Sequence, residues 1–183
     1  MNAPLLALPA LNGVPVLETD RFVLSAPGPQ DADAFVAAHV AERARWMGGN
    51  AGREKAWRIF ALEIGHWVLR GFGMWAVTPK GSDDCLGAVG CWFPEGWPER
   101  EIGWFVFPQA EGKGIAHEAA LAARAHAYTA LGWTTAVSYV HPDNARSIRL
   151  AERLGAVRDD FAARPLPQDG TLVFRHPGPE ALS

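Results

Sequence analysis

The chain has 183 residues, a length that suits one domain with a substantial hydrophobic core. A hydrophobic content of 49% and a charged content of 20% are globular values and exclude an intrinsically disordered chain. The formal net charge of −3, without a basic run, argues against a protein that binds nucleic acid directly. The two cysteines are too few for a disulfide framework, and the scattered histidines predict no metal site.

The N-terminal residues do not resemble a targeting signal. Residues 3–11 are apolar, but Pro4 and Pro9 interrupt them and no basic region precedes them. No apolar stretch approaches the roughly 20 residues that a membrane helix needs. We therefore expect a cytoplasmic protein that does not associate with a membrane.

Periodicity and turn residues predict an irregular arm at 1–19, one domain at 20–176 and a tail at 177–183. In the first half we expect a strand at 21–26, helices at 29–40 and 53–70, and strands at 74–78 and 85–93. Turn residues at 81–84 predict that the last two strands form an antiparallel pair. The helix at 53–70 is amphipathic, with one stripe formed by Trp57, Ala61, Ile64 and Val68.

The second half continues the alternation of strands and helices. We expect a strand at 101–107, a helix at 115–131, a strand at 134–141, a helix at 144–154, and strands at 156–162 and 171–176. Alanines at three- and four-residue spacing predict the buried face of the first of these helices. The order of elements predicts an α/β (α+β mixed) layer with a mixed sheet.

The segment from Gln109 to Ala116 joins a strand to a helix through two glycines. Pro108 ends the strand because it has no N–H to donate, and the glycines allow a tight turn. The N–H groups that begin a helix suit a phosphate group, although the same pattern also fits an ordinary connection. A Walker loop is excluded because Gly114 follows Lys113, and a dinucleotide fingerprint is excluded by His117.

Three ordered motifs carry a family resemblance. Gln109-x-x-Gly112-x-Gly114 resembles the acyl-CoA loop of the GNAT superfamily of N-acetyltransferases. Glu101-Ile-Gly-Trp104 before it, and the run Asn144-x-x-Ser147 to Gly155 after it, resemble the branch containing the ribosomal-protein N-terminal (alanine) acetyltransferases. The resemblance spans residues 20–175. It implies a GNAT-like fold with a central mixed, mostly antiparallel sheet flanked by helices, whose two central strands splay apart to admit acetyl-CoA.

The resemblance also implies cofactor-binding residues. The backbone of the central strand would pair with the pantetheine arm, at Trp104, Phe105, Val106 and Phe107. The loop amides would hold the pyrophosphate, at Glu111, Gly112, Lys113, Gly114, Ile115 and Ala116. Gln109 would brace the loop. Asn144 has two compatible roles, as a helix cap and as a hydrogen-bonding partner of the pantetheine arm.

Two catalytic residues, Ser147 and Glu101, are proposed from their positions in the two motifs that flank the loop. In the resembling branch the serine equivalent to Ser147 lies near the thioester sulfur. The tyrosine acid common in the superfamily is replaced by Ala151, which leaves Ser147, or a water that it holds, as the leading acid. Glu101 is the candidate base, although an exposed strand-end carboxylate explains it equally well, and His141 is a weaker candidate. The aromatic rings proposed for an acceptor pocket are those of Trp46, Trp92 and Trp97.

The expected function is acetyl-CoA-dependent N-acetylation of a primary amine by direct transfer in a ternary complex, without a metal. An α-amine of a protein N-terminus or of an amino-acid-like molecule is favoured because it loses its proton more easily than a lysine. The alternatives are another small-molecule amine, a longer acyl-CoA, and a non-catalytic acyl-CoA sensor, which the loss of the tyrosine favours. The sequence leaves open whether the chain forms a homodimer.

Overall fold

The computed structural model describes residues 11–40, 46, 52–165 and 170–181. Its strands are β1 Leu17–Glu18, β2 Phe22–Ser25, β3 Met74–Pro79, β4 Gly87–Trp92, β5 Glu101–Val106, β6 Val137–Val140, β7 Val157–Arg158 and β8 Leu172–Arg175. Its α-helices are α1 Ala32–Val40, α2 Arg53–Arg70, α3 Ile115–Thr129 and α4 Ala145–Arg153. The strands form one sheet in the order β1-β2-β3-β4-β5-β6-β8-β7.

The sheet is mixed and mostly antiparallel, which confirms the predicted fold class. The pair β5–β6 is parallel, while the other neighbouring pairs in the described sheet are antiparallel. The predicted hairpin is present as β3 and β4, with Gly81 in the left-handed region at φ 79°. A left-handed position in a tight turn favours glycine, which explains why this turn could be predicted from sequence.

Some boundaries differ from those predicted. Leu17–Glu18, placed in the irregular arm, pair with β2, and the expected strand at 156–162 is reduced to Val157–Arg158. Pro29–Asp31 form a 3-10 turn ahead of α1. In the predicted tail, Pro177 accepts a hydrogen bond from the Tyr128 hydroxyl at 2.9 Å. Residues 1–10 of the arm and residues 182–183 of the tail lie outside the described residues.

Alternate residues of β5 point to two different cores. Ile102, Trp104 and Val106 pack on the side of α3, whose predicted alanine face is buried at Ala119, Ala120, Ala123 and Ala127. Small side chains let this helix approach the sheet closely. Phe105 and Phe107 pack on the other side with residues of α1 and α2, among them Phe35 and Phe60. The sheet therefore has an α3 face and an α1/α2 face.

The predicted buried stripe of α2 is wrong. Trp57 is 59% exposed and Val68 is 53% exposed, while the buried positions include Ala56, Phe60, Glu63 and Trp67. The buried positions repeat at four, three and four residues, so the helical period was right and the face was not. The buried face contains a glutamate, and its burial raises the pKa of Glu63 to about 8. A carboxylate in the core breaks the hydrophobic pattern that identifies a buried stripe.

Crossing a bilayer would need a longer apolar helix than any found among the described residues.

Candidate active site

The parallel strands β5 and β6 meet at one end and part at the other. Glu101 and Val137 are their paired residues, and the Val137 N–H donates to the Arg100 carbonyl at 2.9 Å. The Ser138 hydroxyl adds a bond to the Ile102 carbonyl at 2.6 Å. Among the described residues, no strand pairing joins β5 to β6 beyond this point. The backbone edge of β5 from Gly103 onward is therefore available to a ligand.

A cleft of about 1090 Å³ opens where the strands part. Its walls are β5, the loop after β5, the start of α3 and one side of α4. Ala38 of α1 and, further along the chain, Trp46 lie at its border. The predicted site residues that line it are Trp104, Phe105, Val106, Glu111, Gly112, Gly114, Ile115, Ala116, Asn144 and Ser147. Segments distant in sequence are thus brought to one cleft.

The loop at the cleft presents glycines in left-handed conformations. Gly112 and Gly114 both have φ 76°, and Gly114 is the N-cap of α3. A Cβ on Gly112 would meet no atom within 4 Å, whereas one on Gly114 would lie 3.3 Å from Nη2 of Arg21. The N–H groups that begin α3 have no partner within the helix and carry its positive dipole end. The loop can therefore hold a phosphate by its backbone.

An arginine from the start of β2 fixes this loop, which the sequence did not predict. The Arg21 backbone N–H and Nε donate to the two carboxylate oxygens of Glu118, at 2.9 and 2.7 Å. Arg21 Nη1 donates to the Lys113 carbonyl at 3.0 Å. The two partners are 97 positions apart, so no local pattern connects them. This clamp joins β2, the loop and the first turn of α3.

Three predicted cofactor residues have side chains outside the cleft walls. Phe107 is fully buried in the core, and Gln109 is exposed. The Lys113 ammonium donates to the Gln109 carbonyl at 3.1 Å. Any contact of Phe107 or Lys113 with a ligand would thus be made by backbone atoms, and the bracing role of the Gln109 side chain remains a prediction.

Helix α4 brings two predicted residues together. The Asn144 side chain accepts a hydrogen bond from the Ser147 N–H at 3.2 Å, which confirms its role as the N-cap. The Ser147 hydroxyl accepts a bond from the Trp104 indole at 3.1 Å, across the open part of the cleft. Ala151 is fully buried against Val140 and Phe174. The position where the superfamily often has tyrosine is therefore packed into the core.

Glu101 lies at the closed end of the junction, on the α1/α2 face, and is not a wall residue of the cleft. Its carboxylate accepts a hydrogen bond from the Trp97 indole at 2.7 Å. Burial raises the pKa of Glu101 to about 7 against the opposing effect of the Trp97 indole and the nearby Tyr139 backbone N–H. Gly103 leaves space beside it, since a Cβ there would lie 3.8 Å from Oε1. A carboxyl group with this pKa can exchange a proton near neutral pH.

The Tyr139 side chain completes this cluster. Its ring meets that of Trp97 edge-on, with centroids 6.3 Å apart. Its hydroxyl is buried and has no hydrogen-bond partner among the described residues. Burial, with the nearby Glu99 and Glu101 carboxylates, raises the pKa of Tyr139. The hydroxyl therefore stays protonated at neutral pH and is available as a donor.

A second polar cluster lies on the α3 face of the same junction. Arg124 Nη1 donates to the Leu154 carbonyl at 2.6 Å and to His176 Nδ1 at 3.2 Å. His176 Nε2 lies 2.9 Å from the Ser138 hydroxyl, which donates to the Ile102 carbonyl. Burial and the Arg124 charge lower the pKa of His176 to about 3, so its ring is neutral. Its Nε2–H therefore donates to Ser138, and the chain of bonds is complete.

The other candidate aromatic and histidine residues are dispersed. Trp46 borders the cleft and packs against His141, with ring centroids 4.7 Å apart. Trp92 stacks on His66 at 4.4 Å. Of the three tryptophans proposed for an acceptor pocket, Trp97 contacts the candidate base and Trp46 borders the cleft. Within the described part of the chain, no group of histidine, cysteine and carboxylate side chains could hold a metal ion.

The model of the acetyltransferase (GNAT) domain matches residues 21–157, which include the junction, the loop and α4. The chain belongs to the GNAT acetyltransferase family. Among curated proteins it resembles the uncharacterized N-acetyltransferase YoaA of Bacillus subtilis (strain 168), at 25% identity over 86% of this chain and 91% of YoaA.

Solved structures of other acetyltransferases share this fold. An acetyltransferase from Agrobacterium tumefaciens str. C58 has a TM-score of 0.84 and 32% identity, over 90% of this chain and 95% of that one. RimL, a ribosomal L7/L12 α-N-protein acetyltransferase, has a TM-score of 0.67 over 89% of this chain and 93% of RimL. At 16% identity, the likeness to RimL shows the fold alone.

Proposed function

We propose that this GNAT protein transfers an acetyl group from acetyl-CoA to a primary amine, directly within a ternary complex. The observation that carries the proposal is the β5–β6 junction. Its open end leads to the loop amides at Gly112 and Gly114, while its closed end holds Glu101 with a pKa of about 7. One pair of strands thus offers a cleft for acetyl-CoA at one end and a carboxylate that can accept a proton at the other.

The open end suits acetyl-CoA in shape and in chemistry. The edge of β5 at Trp104 to Val106 offers N–H and C=O groups to the amides of a pantetheine arm. The amides of the loop and of the first turn of α3 suit the pyrophosphate. Asn144, which caps α4, borders the same cleft and adds a side-chain amide toward the arm.

The chemistry needs two proton movements. The amine nitrogen attacks the thioester carbonyl carbon, a C–N bond forms and the C–S bond breaks. Glu101 accepts the proton that the amine loses, directly or through water. The CoA thiolate takes a proton from Ser147 or from a water bound to it. The indole of Trp104 orients the Ser147 hydroxyl by donating to its oxygen.

The acceptor that fits these groups best is an α-amine, on a peptide N-terminus or on an amino-acid-like molecule. A lysine amine with a pKa near 10.4 is about 0.1% neutral at pH 7.4, whereas an α-amine near 7.8 is substantially neutral. The Glu101 carboxylate, with a pKa of about 7, is better matched to an α-amine than to the more basic lysine amine.

The first experiment tests cosubstrate binding through the loop. Gly112→Ala and Gly81→Ala are a matched pair, because both positions have left-handed φ and neither Cβ would meet an atom within 4 Å. At about 100 times its Kd, acetyl-CoA should raise the unfolding free energy of the wild type by about 2.7 kcal/mol. Gly112→Ala should reduce this gain and Gly81→Ala should keep it. Thermal shift assays that give the same gain for both variants would contradict the loop assignment.

The second experiment tests the acceptor. One peptide with a free N-terminus and an internal lysine is incubated with acetyl-CoA, and the modified nitrogen is located by fragmentation mass spectrometry. We expect acetylation of the α-amine. Predominant ε-acetylation would overturn the acceptor assignment while leaving the acetyltransferase proposal intact.

The alternatives give different results in the same assays. Turnover with small amines but not with peptides would indicate a small-molecule acceptor. A larger thermal shift with longer acyl-CoAs than with acetyl-CoA would indicate a different donor. Binding without turnover on a broad amine screen would indicate a non-catalytic acyl-CoA sensor, the alternative that Ala151 favours.

A further inference from the structure

Helix α4 places three arginines along one wall of the cleft. Arg146, Arg149 and Arg153 all line it, and their spacing of three and four residues puts them on one side of the helix. The protein as a whole is acidic, with a net charge of −3, so this row is a local concentration of positive charge. Of the acidic residues, Asp143 and Glu111 line the same cleft.

The three guanidinium groups differ in their partners. Arg146 forms an ion pair with Glu111 of the loop. Within the described part of the chain, neither Arg149 nor Arg153 has a carboxylate at ion-pair distance. The nearby Lys113 ammonium lies outside the cleft walls and is bonded to the Gln109 carbonyl. Arg149 and Arg153 are therefore the cleft-lining arginines whose guanidinium groups remain available to a ligand.

We propose that Arg149 and Arg153 bind the 3′-phosphate of the CoA nucleotide and make the protein selective for CoA over 3′-dephospho-CoA. The inference rests on the proposed acetyl-CoA site. With the thioester near Ser147 and the pyrophosphate on the loop amides, the nucleotide leaves the cleft between the loop and α4. A phosphate monoester carries nearly two negative charges at neutral pH, and a guanidinium binds it through paired N–H donors.

The expected size of the effect follows from the exposure of both arginines. Exposed ion pairs are weakened by water and by salt, whereas charge-assisted bonds to a phosphate are stronger than neutral ones. We expect each arginine to contribute roughly three- to tenfold in Kd. The preference for CoA should decline as ionic strength rises, because the 3′-phosphate adds charge that salt screens.

Isothermal titration calorimetry tests this with CoA and 3′-dephospho-CoA as the two ligands. The proteins are the wild type, the double variant Arg149→Gln/Arg153→Gln, and the control Arg58→Gln, an exposed arginine on α2. The wild type should bind CoA roughly tenfold or more tightly than 3′-dephospho-CoA. The double variant should bring the two Kd values together by weakening CoA binding alone, and Arg58→Gln should keep the wild-type ratio.

The outcomes separate this inference from the proposed function. If the wild type binds both ligands equally, or if the double variant keeps the wild-type ratio, the 3′-phosphate assignment is overturned and acetyl-CoA binding stands. The double variant could instead raise the KM of the acceptor while the ratio of the Kd values for CoA and 3′-dephospho-CoA stays unchanged. In that case the arginines serve the acceptor, and the assignment is again overturned. If the wild type binds neither ligand, the proposed function itself fails.

Discussion

Two polar clusters, one buried and one half-buried, lie back to back at the point where β5 and β6 part, and they differ in how completely they are bonded. On the α3 face, Arg124, His176 and Ser138 form a continuous chain of hydrogen bonds that ends on β5. On the α1/α2 face, Glu101 accepts a hydrogen bond from Trp97, while the nearby Tyr139 hydroxyl has no partner among the described residues.

Burial shifts the pKa of the central group in each cluster, with opposite consequences. The pKa of His176 falls to about 3, so its ring does not titrate near neutral pH. The pKa of Glu101 rises to about 7, so its carboxyl group gains or loses a proton there. A fully bonded cluster with no titration near neutrality suits a structural role. A partly bonded cluster poised at neutrality suits proton transfer. We infer that the first cluster holds the junction closed and that the second carries the chemistry.

The largest expected effect is on catalysis, at Glu101. Glu101→Gln keeps the shape and can still accept the Trp97 bond, but it removes the base. General acid–base groups typically contribute about 10² to 10⁴ in rate, and we expect kcat/KM to fall by that factor while the Kd of acetyl-CoA changes little. Steady-state kinetics and calorimetry measure the two quantities.

The pH profile makes this prediction specific. Because the active base is the deprotonated carboxylate, the wild-type kcat/KM should rise with pH through about 7. The acceptor amine titrates as well, so the ratio of wild-type to Glu101→Gln rates on one acceptor isolates the contribution of Glu101. A ratio that does not vary between pH 6 and pH 8 would assign the base elsewhere.

The next effect is on stability, at His176. Replacement by leucine removes both of its hydrogen bonds and leaves the Arg124 charge and the Ser138 hydroxyl with one partner each. We expect the unfolding free energy to fall by about 2 to 4 kcal/mol in urea denaturation. The double variant Arg124→Leu/His176→Leu removes the buried charge too and should recover part of this loss. A double variant whose loss equals the sum of the two single losses would show that the two residues are not coupled.

Below neutral pH, the unfolding free energy should fall because His176 binds a proton in the unfolded chain. Its pKa is near 6.5 in the unfolded chain and about 3 in the folded one, so the unfolded chain binds the proton first. Its contribution is complete above about pH 6.5 and is lost as the pH falls toward 3, by at most about 1.4 kcal/mol per pH unit. The stability difference between wild type and His176→Leu should therefore shrink by about 2 kcal/mol from pH 7 to pH 5. Glu63 and Glu101 titrate in both proteins and cancel in this difference.

Local patterns predicted what depends on neighbouring residues. The glycines at 112 and 114 have the left-handed conformations that the loop requires, and Asn144 caps α4. The motif resemblance implied that Ser147 and Trp104 belong to one site, and both line the cleft. The buried face of α2 was missed because a glutamate occupies it, which no hydrophobic pattern indicates.

Contacts between distant segments could not be predicted in the same way. Arg21 and Glu118 are 97 positions apart, and the histidine cluster joins α3, β6 and the residue that follows β8. Each member alone is an ordinary polar residue of its element. Their roles depend on the tertiary fold, which places them within hydrogen-bonding distance. The order of residues along the chain does not by itself show which distant side chains become neighbours.

The smallest expected effect compares two neighbouring hydroxyl groups on β6. Ser138 and Tyr139 are adjacent, so their side chains point to opposite faces of the sheet, one into each cluster. Ser138→Ala removes a donor to Ile102 and an acceptor for His176 and should lower the unfolding free energy by about 1 to 3 kcal/mol. Tyr139→Phe removes a hydroxyl without a partner among the described residues, so the change should stay within about 0.5 kcal/mol. Urea denaturation of both variants at pH 7 measures this contrast. If both variants lose the same unfolding free energy, the α1/α2 cluster is as completely bonded as the α3 cluster. The division between a structural and a chemical face would then not hold.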